Sequence, residues 1–203
     1  MDTKDTDNDL MRQMREGKVS AFQLLYKRHQ GAIYRYALMR CGRTALAADV
    51  VQDVFMGLLS KSFNYNASLG SLQNFLFGVA RNLLLKQEYA ESRHLPLPAN
   101  GEEEEEEVLQ CEASDLSEAV FSQQRTKQVQ QAIAMLRPHY RDVVILYELQ
   151  ELSYAEIAVI CSIDIGTVRS RLSRARAAML DYCKKLDWNP ESEAIRIKTG
   201  TEV

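Results

Sequence analysis

Apolar residues recur at helical spacing along most of the chain, and the alternation of β-branched residues that marks strands is absent. Phe22, Leu25, Tyr26, Ile33, Tyr36 and Ala37 keep a 3.6-residue period after Ser20, which can cap the segment, and Gly42 suits its C-terminal stop. A second segment, about 44–62, repeats the pattern with Leu46, Val50, Val54, Leu58 and Leu59. The polar stretch from Asn64 to Gly70 reads as a turn-rich loop. Ser71 can cap a third helix that turns Leu72, Phe75, Leu76, Val79 and Leu83 inward, and Pro96, Pro98 and Gly101 end the block. Helical periodicity resumes near Asp115, with Val129, Ile133 and Leu136 facing a core. Pro138 fits the first turn of the next helix, which carries Val143, Val144, Leu146 and Tyr147. Ser153-Tyr154-Ala155-Glu156 has the capping-box pattern and opens a short helix through Cys161. After the turn Ser162-Ile163-Asp164, Asp164 can cap a last helix through about Lys185. The expected fold is all-α: two small helical domains, 1–95 and 125–186, joined by a linker over 96–124 and followed by a tail over 187–203.

Charge sharpens this division. The net charge of −3 and pI of 5.7 average over blocks of opposite sign. Residues 1–95 carry 13 basic and 9 acidic side chains, residues 96–124 none and 9, and residues 125–186 10 and 6. Two mildly basic domains thus flank an acidic linker. Glu102 to Glu107 is a run of like charges that repels itself and is expected to be flexible. Composition by itself leaves it a flexible spacer kept extended by its own repulsion, or a cover over the basic faces of the flanking blocks. Since screening limits the reach of exposed charge to about 8–10 Å, local sign decides nucleic-acid binding and the whole-chain pI does not.

Several function classes drop out. No run of about 18 apolar residues suggests membrane insertion, and the polar, acidic start Met1-Asp2-Thr3-Lys4-Asp5 is unlike a signal peptide, so a cytoplasmic protein is expected. Cys41, Cys111, Cys161 and Cys183 form no C-x-x-C pair and have no histidine at ligand spacing, so they read as small apolar groups, with a redox role as the alternative. A glycine-rich phosphate loop, a metal-spaced cluster and a nucleophile motif are all missing. No catalytic residue, metal or cofactor is expected, and the chain is read as a non-enzyme.

The last two helices carry the strongest chemical signal. A short capped helix, a tight turn and a helix bearing Arg169, Arg171, Arg174 and Arg176 have the layout of a helix-turn-helix whose second member enters the major groove. A solvated basic face on a bundle helix is the alternative.

Motifs in both domains extend the picture. Ala48-Asp49-Val50-Val51-Gln52-Asp53-Val54-Phe55 resembles the core-polymerase-binding helix of sigma factor region 2. Phe75-Leu76-Phe77-Gly78-Val79-Ala80-Arg81-Asn82-Leu83 resembles the helix of that region that meets the −10 element. Leu152 to Ala158 and Gly166 to Arg176 resemble the region 4 helix-turn-helix. The matches occur in the family's order and cover about 10–95 and 120–185. The chain is thereby similar to bacterial RNA polymerase sigma factors of the sigma-70 family. Its two-domain form, without a middle domain, is that of the extracytoplasmic-function (ECF) class.

The resemblance implies a promoter-recognition subunit of RNA polymerase, with the core enzyme (β′ and β subunits) and promoter DNA as partners. It also admits an anti-sigma factor. Core binding falls to Asp49, Gln52, Asp53 and Phe55, with the polar side meeting a β′ coiled coil. The −10 element falls to Asn64, Tyr65, Asn66, Arg81, Asn82 and Lys86. Tyr65 has two readings, a ring that stacks on an unpaired base or an anchor that packs the loop on the core. The −35 element falls to Thr167, Arg169, Ser170, Arg171, Ser173, Arg174 and Arg176. Ser170, Ser173 and Arg174 lie on the base-reading stripe, and Arg169, Arg171 and Arg176 flank it as phosphate contacts.

The chain departs from the family pattern at Ala48, where a glutamate is common, at Tyr147, where a basic DNA contact is common, and at Ser162, the usual glycine of the recognition turn. Serine tolerates positive φ less well, so a differently shaped turn is expected there. A helix-turn-helix activator that binds DNA without polymerase accounts for 125–186 and leaves the first block unexplained. An adaptor of helical build leaves both sets of motifs unexplained.

Overall fold

The computed structural model describes residues 5–94 and 128–185. The linker expected over 96–124, the helical resumption near Asp115, Cys111 and the tail over 187–203 lie outside the described residues. Within them every regular element is helical.

The N-terminal domain is built from α1 (Asp7–Arg15), α2 (Val19–Cys41), α3 (Thr44–Leu59) and α4 (Leu72–His94). Helix α1 starts where Thr6 accepts the Asp9 amide at 3.2 Å, with Asp7 and Asp9 in the positive first turn and Arg12 and Arg15 in the last. Helix α2 begins at Lys18 with no side-chain cap, one turn-edge earlier than the expected Ser20 start. Lys18, Val19 and Ser20 are exposed, and the helix is first anchored in the core by Ala21. Gly42 ends α2 in the left-handed conformation, φ 72°, as expected. Helix α3 stops at Leu59 and not near 62, because Ser60 caps it and Lys61 reverses the chain at φ 58°. Ser71 caps α4 by accepting the Asn74 amide at 3.2 Å.

Leu25, Ile33, Tyr36, Ala47, Val54, Leu58, Leu76 and Phe77 form the centre of this domain, each nearly inaccessible to solvent. Burying side chains of this size contributes about 1.5–3 kcal/mol apiece before conformational entropy is charged against it. On α4 the innermost stripe is Leu72, Leu76, Ala80 and Leu84, with Phe77 beside it. Phe75, Val79 and Leu83 are only partly buried. The sequence pattern treats all these positions as one inward face. The structure splits them because α4 packs on two partners, the N-terminal bundle on one flank and α7 on the other.

The C-terminal domain comprises α5 (128–134), α6 (Pro138–Val144), a π-helical continuation (Ile145–Leu149), α7 (Tyr154–Cys161) and α8 (Ile165–Lys185). Pro138 occupies the first turn of α6, where a missing N–H costs nothing. Widening of the helix over 145–149 ends with the Gln150 amide on the Ile145 carbonyl at 3.2 Å. Val143, Ile145, Leu146, Ile157, Val168, Leu172 and Ala175 close the core. The two domains pack on one another, α4 against α7 and α2 against α6 and the π-helical turn.

Candidate nucleic-acid interface

Helix α7 starts with a complete capping box. Ser153 accepts the Glu156 amide, and Glu156 Oε2 accepts the Ser153 amide at 2.9 Å. The turn to α8 passes through Ser162 at φ 54°, ψ 50°. The expectation of a differently shaped turn is therefore overturned: serine adopts the left-handed geometry that glycine usually supplies, at a cost of about 1–2 kcal/mol.

On α8, Val168, Leu172 and Ala175 lock the inner side, and Arg169, Ser170, Ser173 and Arg174 are exposed on the outer. Thr167 and Arg171 are half-buried at the margins. Ser170 donates to the Thr167 carbonyl at 3.0 Å, which sets the hydroxyl against its own helix. Arg176 is engaged otherwise than expected. Its Nε and Nη2 reach Glu148 Oε1 at 3.0 and 2.6 Å, and its guanidinium lies 5.3 Å from the Tyr147 ring. The Tyr147 departure thus has a structural use, holding Arg176 beside the helix. Since both members of the ion pair are exposed, it is cheap to break.

On α3, Asp49, Gln52 and Asp53 project into solvent, whereas Phe55 does not. Its ring is 2% exposed and meets Tyr26 edge-on at 4.8 Å and Phe22 at 6.2 Å. Phe55 supports the acidic face from beneath and is not part of its surface.

The loop before α4 is an ordered scaffold. Tyr65 is buried, donates its hydroxyl to Asn8 Oδ1 at 2.9 Å or the Gly70 carbonyl at 3.2 Å, and rests its ring 5.4 Å from Phe75. Of its two readings the structure takes the loop anchor. Asn66 Oδ1 accepts from the Ser68 amide and hydroxyl at 3.0 and 2.8 Å and so shapes the short 3₁₀ turn Ala67–Leu69. Asn64, Asn82 and Lys86 are exposed. A cleft of about 480 Å³ runs between this loop, α4 and α7, lined by Asn64, Asn66, Asn74 and Asn82 from one domain and Glu156 from the other. Asn74, which the sequence reading missed, gives Nδ2 to Glu156 Oε1 at 3.1 Å, while its Oδ1 is buried and accepts no hydrogen bond among the described residues. Bonds from Ser153 and then Asn74 hold the Glu156 carboxyl below its ordinary pKa.

Arg81 does not line an open edge. Its Nε donates to Asp142 Oδ2 at 2.9 Å, and Asp142 Oδ1 accepts Arg40 Nε at 2.6 Å and the Tyr36 hydroxyl at 3.1 Å. Arg40 also grips Glu88 through both terminal nitrogens, and Arg141 donates to the Arg40 carbonyl at 2.7 Å. Asp142 and Arg40 are each 1% exposed. Burial opposes the charge on Arg40, but bonds to Glu88 and Asp142 outweigh it and raise its pKa. Burial, and then the Asp142 charge, push the Tyr36 phenol well above its ordinary range, so it remains a donor. Sequence reasoning placed Tyr36 only on the apolar stripe and missed Arg40, Glu88 and Asp142. A charged residue at a core-facing position of α2 was the available signal, as Arg40 follows Ile33 and Ala37 on the buried stripe.

Residues 25–91 match the family model for sigma-70 region 2, and residues 126–179 match the model for sigma-70 region 4. The chain belongs to the sigma-70 family. Its curated relatives place it in the ECF class. It is 29% identical over 178 residues to the ECF RNA polymerase sigma-E factor of Escherichia coli K12, covering 86% of this chain and 92% of that one. It is 27% identical over 186 residues to the ECF sigma factor SigW of Bacillus subtilis, covering 87% and 96%. To SigE of Mycolicibacterium smegmatis it is 27% identical over 161 residues, 79% of this chain and 61% of that relative. Among solved structures, the fold is similar to CnrH, determined with the cytosolic domain of CnrY, at TM-score 0.65 and 20% identity over 89% of this chain and 99% of that one. It is also similar to the sigma factor RpoE of Bartonella quintana, determined with the anti-sigma factor NepR, at TM-score 0.62 and 25% identity over 82% and 98%.

In this ECF sigma factor the region 2 match runs from within α2 into α4, and the region 4 match covers α5 and runs into α8. Regions 2 and 4 in this order make it a subunit of transcription initiation, a family of non-catalytic proteins. Among the described residues no group of His, Cys, Asp and Glu is placed to hold a metal, and no helix is long and apolar enough to cross a membrane.

Proposed function

We propose that the chain binds core RNA polymerase through the exposed face of Asp49, Gln52 and Asp53, opens the −10 element with region 2, and reads the −35 element with α8. The observation that carries this reading is the exposed stripe of Arg169, Ser170, Ser173 and Arg174 on a helix fixed behind a fully capped α7. A helix of this kind fits the major groove, where Arg174 can read guanine bidentately and Arg169 and Arg171 can hold phosphates. At the −10 element, the amide-lined cleft offers hydrogen-bonding edges to an unstacked base, with Asn74 joining Asn64, Asn66 and Asn82. Lys86 and a released Arg81 would hold the backbone. Phe55 and Tyr65 act one layer below, keeping those surfaces in shape.

The protein works in the cytoplasm, where polymerase and promoter are. The resemblance to RpoE of B. quintana, whose structure contains an anti-sigma factor, supports an anti-sigma factor as a third partner. Run-off transcription from genomic templates with purified core polymerase tests the proposal. The chain should switch on initiation from a defined set of promoters, and a plain DNA-binding activator would add nothing to core enzyme alone.

A further inference from the structure

Three cationic side chains from α6, its N-terminal edge and α8 gather at one margin of region 4. Arg137 immediately precedes α6, His139 lies in its first turn, and Arg171 comes from α8, which packs against α6. The charges of Arg171 and Arg137 both act on the His139 ring. Arg137 is exposed, His139 and Arg171 are half-buried, and the His139 ring lies 4.2 Å from that of Tyr140. Neither Arg137 nor Arg171 pairs with an acidic side chain among the described residues. Other arginines of region 4 are occupied: Arg141 donates to the carbonyls of Arg40, Ala134 and Leu136, and Arg176 donates to Glu148.

The carboxylates nearby are occupied as well. Asp142, whose charge opposes that of the two arginines at His139, is buried and accepts from Arg40 and Arg81. Other elements packed on α6 bring Arg40 from α2, Glu148 from the π-helical turn and Glu156 from α7, each bound elsewhere. Arg137 and Arg171 thus leave their charges unpaired, and protonation of the imidazole would add a third. In that state every nitrogen of the cluster donates and none accepts, which fits the acceptor-only oxygens of a phosphodiester. Position favours the same ligand. Ser170, Ser173 and Arg174 hold the stripe offered to base edges, and Arg171 flanks it, on the side where a groove presents its backbone.

We propose that Arg137, His139 and Arg171 form one binding site for a DNA backbone phosphate beside the −35 element, and that His139 takes up a proton as the phosphate arrives. This rests on the −35 role given to α8 above. In the free chain, burial and then the two guanidinium groups disfavour the imidazolium and hold the His139 pKa below its ordinary value. An arriving phosphate cancels their charge and supplies acceptor oxygens, so the bound state holds the proton more tightly than the free one. Affinity for DNA therefore rises as pH falls through the bound pKa and levels off below the free one. A single linked proton changes affinity by at most about tenfold per pH unit.

The test uses the full chain and a labelled duplex of random sequence, since a phosphate contact carries no sequence information. Fluorescence anisotropy at constant ionic strength reads affinity from pH 8.0 to 6.0, and circular dichroism checks the fold at each pH. The unaltered chain should bind about fivefold more tightly at pH 6.0 than at pH 8.0. His139→Gln should flatten that profile. His139→Arg, which is charged throughout, should bind tightly with no pH dependence, and it decides the matter if His139→Gln fails to fold. Arg137→Ala should weaken binding at every pH and lower the salt slope by about one. His29→Gln, in region 2, should leave the binding profile as it is. A pH-independent unaltered chain overturns the proposal, as does a folded His139→Gln that keeps the original profile or an Arg137→Ala that binds as before. Any of these outcomes, with Arg174→Ala still altering preference at the −35 element, removes only the proton-linked site. Absence of duplex binding by every form removes that site and the −35 reading beneath it.

Discussion

The ring of Phe63 lies on the backbone of Gly57, so close that a β-carbon at 57 would stand 1.9 Å from ring Cε2. This contact anchors the start of the loop over 60–71 against α3. Gly57→Ala should destabilise region 2 by about 1–3 kcal/mol through overpacking, seen as a lower melting temperature. Combining it with Phe63→Leu should recover part of the loss. A neutral Gly57→Ala would show that the ring can leave without consequence.

Asp49 and Asp53 are exposed on α3 and make no ion pair among the described residues, while Val50 and Val54 beside them are buried. Reversing both charges to lysine should therefore leave the fold intact and abolish association with core polymerase. Co-purification of the double variant with core enzyme checks it, and undiminished binding by a well-folded variant removes the docking assignment.

Arg174 and Arg171 should behave differently on DNA. Arg174→Ala should lose about 1–3 kcal/mol of preference at one base pair of the −35 element. Arg171→Ala should weaken binding to all sequences and lower the salt slope by about one. Competition binding over single-base promoter variants separates them, and the same uniform loss from both would make Arg174 a phosphate contact.

Ser162 holds a positive φ of 54° without the freedom of glycine. Ser162→Gly should raise region 4 stability by about 1 kcal/mol, the left-handed cost offset in part by greater chain entropy in the unfolded state. Thermal or urea unfolding reads the difference. A loss of stability would mean that the serine side chain makes up for its strain.

Acid should weaken the fold through His29. Its Nε2 is 2.9 Å from Asp7 Oδ2, and burial depresses its pKa despite the charge of Asp7 and its side-chain contact, with Arg28 adding to the depression. A histidine with a lowered folded pKa binds fewer protons folded than unfolded. Its contribution to stability is therefore lost as pH falls below the unfolded value of about 6.5. His139, also depressed by burial and then by Arg171 and Arg137, acts in the same direction. Melting temperature should drop between pH 7.5 and 5.5, and His29→Gln should flatten that dependence. An unchanged slope would assign the effect to other groups.

The positions of α2 to α8, the caps at Gly42, Ser71 and Ser153, the helix-turn-helix and the polar solvent-facing residues of α3 and α8 were legible in the sequence, whereas α1 was not. Each depends on side chains three or four residues apart and on the apolar period they keep. What joins Arg40 and Arg81 to Asp142 is of another kind, since those partners are 102 and 61 residues apart. No local pattern says that two arginines on different helices will meet one carboxylate, or that α7 will cover the flank of α4 where Phe75 and Val79 lie. Phe55 was misplaced and Tyr65 was left with two readings for the same reason: an aromatic ring next to polar neighbours reads alike whether it faces solvent or core. Only packing decides which, because the apolar surface it removes from water belongs to residues distant in the chain.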